Sequence, residues 1–400
     1  MTTQIITIGK VDRHTSVVAA TSSVQPRLFF VDNLRILLTL LVVLHHLAIT
    51  YGAVGSWAYK EGAPDMLTTF LLTLFTGVNQ SFFMGFFFMI AGYFTPGAYD
   101  RKGGERFLKG RLLRLAVPLL FYLTVLHPLF AYALAVNRYG FGGSFWNFLA
   151  GYLANYGGLE TGPLWFVETL LIFSLCYALW RYLTNHPVAS RWHQSQMPGN
   201  WAIAMFALGL GVVTFIVRIW LPEDWWFGLL NLPLPYFPQY ISLFILGIVA
   251  YRRNWFVEIS EARGKLWGGI AIIFIVLMPI LFVAGGALEG DTIPFIGGIH
   301  WQSLAFSVLQ HFLCLGMVIG LLALFRHRLN HQNPLGKTMA ASTYTVYLIH
   351  QPVLVFVALA LSGINLYPLF KFPVVALVVA PLCLLLAYYI RRLPLARNIL

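Results

Sequence analysis

The sequence is short of charge. Of its 400 residues only 10% are Asp, Glu, Lys or Arg, against 59% apolar ones. A soluble domain carries about 25% charged residues, so this chain lacks the polar surface to cover a globule of its size. That shortage excludes an ordinary soluble enzyme, a disordered chain and a coiled coil. It also argues against a nucleic-acid partner, although the net charge is +12. Cysteine is scarce too. Cys176, Cys314 and Cys383 lie inside apolar runs, where cysteine behaves as a small hydrophobe. No CxxC or Cys/His spacing suggests zinc, and no metal is expected. Glycine-rich nucleotide loops, HExxH, GxSxG and paired-carboxylate motifs are absent from the sequence. So are repeats of solenoid length and any inverted duplication of the transporter kind. Residues 1–26 hold no apolar run of signal-peptide type. A flexible cytoplasmic tail is expected there, with the first span serving as insertion signal.

What is abundant is long apolar sequence, with a mean hydropathy of +0.75. Since a bilayer core needs about 20 apolar residues per helix, ten spans are expected. They run over 31–51, 68–95, 113–136, 163–183, 201–221, 237–251, 266–284, 301–325, 341–361 and 370–390. The second carries Asn79, Gln80 and Ser81 near its middle, which predicts a tilt or a break. Of the 26 Lys and Arg, 21 fall in the N-terminal tail, the even-numbered loops and the C-terminal tail; Lys60, Arg138 and Lys371 alone fall in the alternate loops. By the positive-inside rule both termini are then cytoplasmic. The fold expected is an all-α membrane bundle of about ten helices, with a single transmembrane domain at 27–392 and a short cytoplasmic tail at 393–400.

Ionisable groups inside a span are functional candidates by default. In the first span Arg35 and His46 are eleven residues apart. That leaves them about 20° apart around the helix and roughly 16 Å apart along it. One face therefore carries an arginine near the cytoplasmic surface and a histidine deep in the membrane. A snorkelling arginine and a histidine bonded to a neighbouring helix would have the same spacing. Glu168 lies near the start of the fourth span in PLWFVE. It either orients a histidine or is an interfacial glutamate bonded to the Trp165 indole. The ninth span reads STYTVYLIHQP, so Ser342, Tyr344, Tyr347, His350 and Gln351 form a polar stripe, for catalysis or for helix association. Arg218 is read as close enough to the outer surface to snorkel. Arg111 and Arg114 enter the third span on one face. Such arginines match anionic lipid or a phosphorylated ligand.

Taken together, these segments resemble the acyltransferase-3 family of integral membrane O-acyltransferases. The matching pieces are D-N-L-R-x10-H from Asp32 to His46, FFFMIAGYF at 86–94, Arg111 and Arg114 followed by Pro118, PLWFVE, LFILGIVAYRRNW at 243–255, and STYTVYLIHQP. They occur in the family's order across most of the chain. In motif style they resemble the branch containing the glucan-modifying protein C, without the SGNH domain that some members add. The resemblance implies an enzyme that transfers an acyl group, acetyl, succinyl or similar, from cytoplasmic acyl-coenzyme A to a hydroxyl of a carbohydrate or other acceptor. It acts in the plasma (inner) membrane and holds no permanent cofactor. His46 would match the essential histidine, as general base, and Arg35 the arginine. Glu168 or His350 would orient the base, and Arg111 and Arg114 would hold coenzyme A phosphates. Tyr347 or Ser342 would donate to the oxyanion, and Trp165 would contact substrate. A proton-coupled transporter and a non-catalytic membrane component are the rival readings.

Overall fold

A computed structural model of the chain describes residues 27–155, 160–184, 196–290 and 292–400. The tail expected at 1–26 lies outside the described residues. Ten helices are long and apolar enough to cross a bilayer: α1 Phe29–Tyr51, α2 Met66–Lys102, α3 Gly104–Tyr139, α4 Gly162–Thr184, α5 Asn200–Trp220, α6 Leu234–Arg252, α7 Glu261–Ala284, α8 Trp301–Arg328, α9 Pro334–Ala360 and α10 Pro368–Ile390. Among the described residues there is no β-strand, only an isolated bridge between Phe227 and Leu232. The outer faces of α7 and α10 expose Ile272, Ile273, Val276, Leu377 and Leu385, a surface that only lipid can cover at no cost. The chain is a multi-pass membrane protein.

Helix α2 runs unbroken through Asn79–Ser81. The Ser81 groups are bonded without opening the helix, while Asn79 Nδ2 is buried without a partner. Ser81 donates back to Gly77 O at 2.8 Å, and Gln239 Nε2 of α6 donates to Ser81 O at 2.8 Å. Its start is fixed by Asp65, whose side chain accepts from Leu67 N, Thr68 N and the Thr68 hydroxyl. These bonds, the Thr68 hydroxyl first, hold the exposed Asp65 carboxyl below its usual range. Helices α2 and α6 pack backbone to backbone because Gly92 meets Phe244 O and Gly247 meets Met89 O, where any Cβ would collide. At one end of the bundle Asp100 pairs with Arg181 at 2.7 Å and Arg252 at 2.8 Å, joining α2, α4 and α6.

Helix α3 begins earlier than the hydropathy pattern indicates and contains π-turns at Leu112–Ala116 and Tyr122–Leu126. Pro118 has no N–H to offer Arg114 O, and that carbonyl instead accepts the Tyr344 hydroxyl of α9 at 2.5 Å. The connection after α3 folds into a further helix, Phe145–Ala154, capped by Ser144.

Candidate active site

The site lies along the seam between α1 and α9. Arg35 Nη2 donates to Thr343 Oγ1 at 3.1 Å, and the His46 and His350 rings are 5.3 Å apart. Low residue numbers meet low, so the two helices run in the same direction. Arg35 and His46 are separated by roughly 16 Å of helix, Thr343 and His350 by roughly 10 Å; the long arginine side chain makes up the difference. The start of α1 is tied down by its own Asn33, which donates to Leu329 O at 2.7 Å and His331 O at 3.0 Å.

At the far end three rings are nearly parallel. Trp57, from the loop after α1, stacks on His46 with centroids 3.9 Å apart and planes 12° apart. Trp57 and His350 are 6.3 Å apart at 16°. With His46 to His350 at 5.3 Å, the three centroids form nearly a right angle at His46. The indole thus covers one face of His46, while His350 lies beside its edge, close to the same plane. His350 Nδ1 is 2.6 Å from Tyr347 O. A carbonyl only accepts, so Nδ1 carries the proton and Nε2 is a bare lone pair. His350 Nε2 and His46 Nδ1 are both buried without a hydrogen-bond partner. Two partnerless ring nitrogens thus sit on neighbouring imidazoles in the buried end of the seam.

His46 also faces a cavity with about 50 Å³ for the centres of water-sized groups. His45, Gln80, Trp165 and Tyr347 share its lining. The PLW segment is held there because Tyr347 donates its hydroxyl proton to Pro163 O. Trp165 is backed by Tyr240 at 5.6 Å and met edge-on by Trp226 at 6.3 Å.

The arginine end is rich in positive charge. Arg111 donates to Thr95 Oγ1 at 3.2 Å, and Arg114 to Leu400 O at 3.5 Å. Among the described residues no side-chain carboxylate pairs with either. The Arg114 charge acts on both Arg35 and Arg111, and Arg35 has Asp32 at 3.6 Å. Three guanidiniums and one nearby carboxylate suit a multiply charged anion.

The structure brings His46, His350, Trp165 and Tyr347 to one end of the seam and Arg35, Arg111 and Arg114 to the other. Two candidates stand elsewhere. Ser342 is eight residues before His350, about 12 Å along the helix. Its hydroxyl takes Arg391 Nη1 at 3.5 Å, so it sits at the arginine end, away from where an oxyanion would form. Glu168 is buried, with Oε2 unpartnered, and no hydrogen bond joins it to His46, His350 or Trp165. Trp57, Thr343 and Thr95 escaped the sequence reading.

Arg218 does not snorkel. It is 1% exposed and donates to Gln310 Oε1 at 2.8 Å and Ser307 Oγ at 3.4 Å, with Glu223 at 3.4 Å. Glu223 Oε1 also accepts from Tyr236 at 2.7 Å and Gln310 at 3.1 Å. Neighbouring α8 offers Arg218 better partners than the interface would. Removing one member of a buried pair strands the other, at a cost of about 3–5 kcal/mol. Arg218→Ala is therefore expected to lower the melting temperature in detergent markedly, whereas a Lys60→Ala control should leave it unchanged.

Residues 28–392 match the acyltransferase-3 family, described as an acyltransferase domain. The chain belongs to this family. Among curated proteins it is similar to the glucans biosynthesis protein C of Salmonella schwarzengrund (strain CVM19633), of Salmonella typhi and of Salmonella typhimurium. Each is 24% identical over 344 residues, covering 83% of this chain and 83% of the relative. No solved structure matches.

Proposed function

We propose that the protein is an integral membrane O-acyltransferase that takes an acyl group from acyl-coenzyme A at the cytoplasmic face and gives it to a hydroxyl, of carbohydrate in the first instance. The observation that carries the reading is the α1–α9 seam, with the Arg35, Arg111 and Arg114 guanidiniums at one end and the His46–His350 pair at the other. The Lys/Arg distribution supports a cytoplasmic position for the arginine end and both termini. The kinship with glucans biosynthesis proteins supports a carbohydrate acceptor.

In this reading Arg35, Arg111 and Arg114 hold the coenzyme A phosphates by charge-assisted bonds. The pantetheine arm, roughly 15–20 Å long, matches the roughly 16 Å between Arg35 and His46. His46 Nε2 accepts the acceptor's hydroxyl proton as the oxygen attacks the thioester carbon. His350 Nε2, held as a lone pair by its Nδ1–H bond to Tyr347 O, accepts from His46 Nδ1–H and fixes the base's tautomer. As the C–O bond forms and the C–S bond breaks, the coenzyme A thiolate leaves and takes the proton from the His46 imidazolium. Trp57 shields one face of the base from competing water. Tyr347 and Trp165 line the reaction chamber. Neither Tyr347, whose hydroxyl proton is given to Pro163 O, nor Ser342, at the arginine end, serves as the oxyanion donor in this reading. The test is release of free coenzyme A from labelled acyl-coenzyme A by detergent-purified protein, stimulated by a soluble glucan.

A further inference from the structure

We propose that the Gln80 carboxamide is the oxyanion donor of the chamber and that the Tyr240 hydroxyl holds it in position. The inference rests on the acyltransferase reading and fills a role which that reading leaves open. Val42 and His46 follow Arg35 by 7 and 11 residues on α1, about 20° to either side of it around the helix. Both line one cavity, so a thioester reaching His46 from the arginine end lies beside that cavity. Across it stand Gln80, Phe83 and Met84, spaced to share one face of α2. The His45 and Phe83 rings, 5.1 Å apart, set the register. Helix α2 packs back against α1, which places Gln80 within about one turn of the level of His46.

Elimination among the polar groups of the cavity leads to Gln80. His46 is the base. Tyr347 gives its hydroxyl proton to Pro163 O, and His45 turns its ring against Phe83. Trp165 is a wall, stacked on Tyr240 at 5.6 Å and met edge-on by Trp226. The half-buried Gln80 carries the cavity's carboxamide, a neutral group with two N–H donors. Behind it lies Tyr240, fully buried and stacked against both Trp165 and Tyr236, the latter at 5.9 Å with planes 11° apart. The Tyr240 hydroxyl meets Gln80 and has no other partner among the described residues. A phenol donates more strongly than an amide, so its proton goes to Gln80 Oε1 and the Nε2 hydrogens are left for the cavity. Arg218 lies over the Tyr236 ring at 5.3 Å and ties these rings to its network with Glu223. The donor is thus fixed before substrate arrives, as oxyanion stabilisation requires. When the acceptor oxygen bonds to the thioester carbon, the carbonyl π pair moves onto oxygen, and Gln80 Nε2–H donates to it. The pair returns as the C–S bond breaks and the thiolate leaves, so Gln80 gives up no proton.

The experiment measures acetyl-coenzyme A binding, and coenzyme A release in the presence of a soluble glucan, for detergent-purified wild type and variants. Gln80→Leu is expected to lose about 10²- to 10³-fold in kcat, with the donor Kd unchanged. Tyr240→Phe keeps the ring and its stacking, and should lower kcat by about 2- to 10-fold, again at constant Kd. It keeps the inference testable if the glutamine variant folds poorly. Asn79→Leu removes the neighbouring carboxamide, which does not line the cavity, and should turn over like wild type. Lower melting temperatures for Gln80→Leu and Tyr240→Phe with kcat of the folded protein intact would mean a purely structural role and overturn the inference. So would an equal loss in Asn79→Leu, or a loss in His45→Phe or Trp165→Phe with Gln80→Leu unaffected. Folded wild type that releases no coenzyme A overturns the acyltransferase reading itself, and the oxyanion assignment with it.

Discussion

His46→Ala binds acyl-coenzyme A as tightly as wild type and loses about 10²- to 10⁴-fold in transfer rate, the range removed with a general base. The expectation follows from what His46 touches. No hydrogen bond engages it, and its Nδ1 is buried without a partner. Truncation removes the stacking on Trp57 and the ring contacts with His350 and His45, a small part of the packing of α1. The variant should therefore melt near the wild-type temperature. His350→Gln should fall between the two proteins, with kcat reduced and KM unchanged, because an amide cannot hold the base in one tautomer as the carbonyl-anchored imidazole does. A merely structural role for His46 predicts the reverse, with reduced stability and unaltered turnover. Thermal melts and single-turnover rates on the same preparations separate these outcomes.

Arg111→Ala combined with Arg114→Ala is the complementary case. Each charge-assisted hydrogen bond contributes about 1.5–3 kcal/mol, so losing two weakens acyl-coenzyme A binding by about 10²- to 10⁴-fold. The loss appears in KM and Kd, with kcat at saturation nearly unchanged, since neither arginine approaches His46. Folding should be only modestly affected, because Arg111 gives up its bond to Thr95 and its place over the Phe107 ring, and Arg114 a long contact with Leu400 O. Wild-type affinity should also fall with ionic strength, as the double variant's should not. Titration of labelled acyl-coenzyme A at two salt concentrations reads both effects.

The spans were legible because bilayer thickness imposes a length that hydropathy reports directly, and all ten segments proved helical. The Arg35–His46 face was legible because a single helix fixes it. The meeting of His46 with His350 was not, since the register between helices 300 residues apart is set by packing. Trp57 stood in a loop, where periodicity carries no information, and its stacking depends on how residues 52–65 fold back. That fold-back is secured by Lys371, which donates to Glu61, and by Tyr367, which donates to Asp65 at 3.1 Å. Arg218 was misread because one helix end was judged alone. The missed signal was on α8, where Ser303, Ser307, Gln310 and His311 recur at helical spacing, marking a polar face that needed a charged partner. The expected break in α2 failed for a related reason. The Ser81 hydroxyl bonds back to its own helix and Gln239 of α6 donates across the interface to Ser81 O, so neither requires the helix to open.

The most direct test of the central claim is whether the purified protein releases coenzyme A from labelled acetyl-coenzyme A and moves the label covalently onto a soluble glucan. The account predicts that wild type does both, that His46→Ala binds the donor without releasing coenzyme A, and that the double arginine variant binds it about 10²- to 10⁴-fold more weakly. Folded wild type that neither binds nor cleaves the thioester, yet moves a solute across reconstituted vesicles unaltered, would contradict it and make the seam between α1 and α9 a transport path.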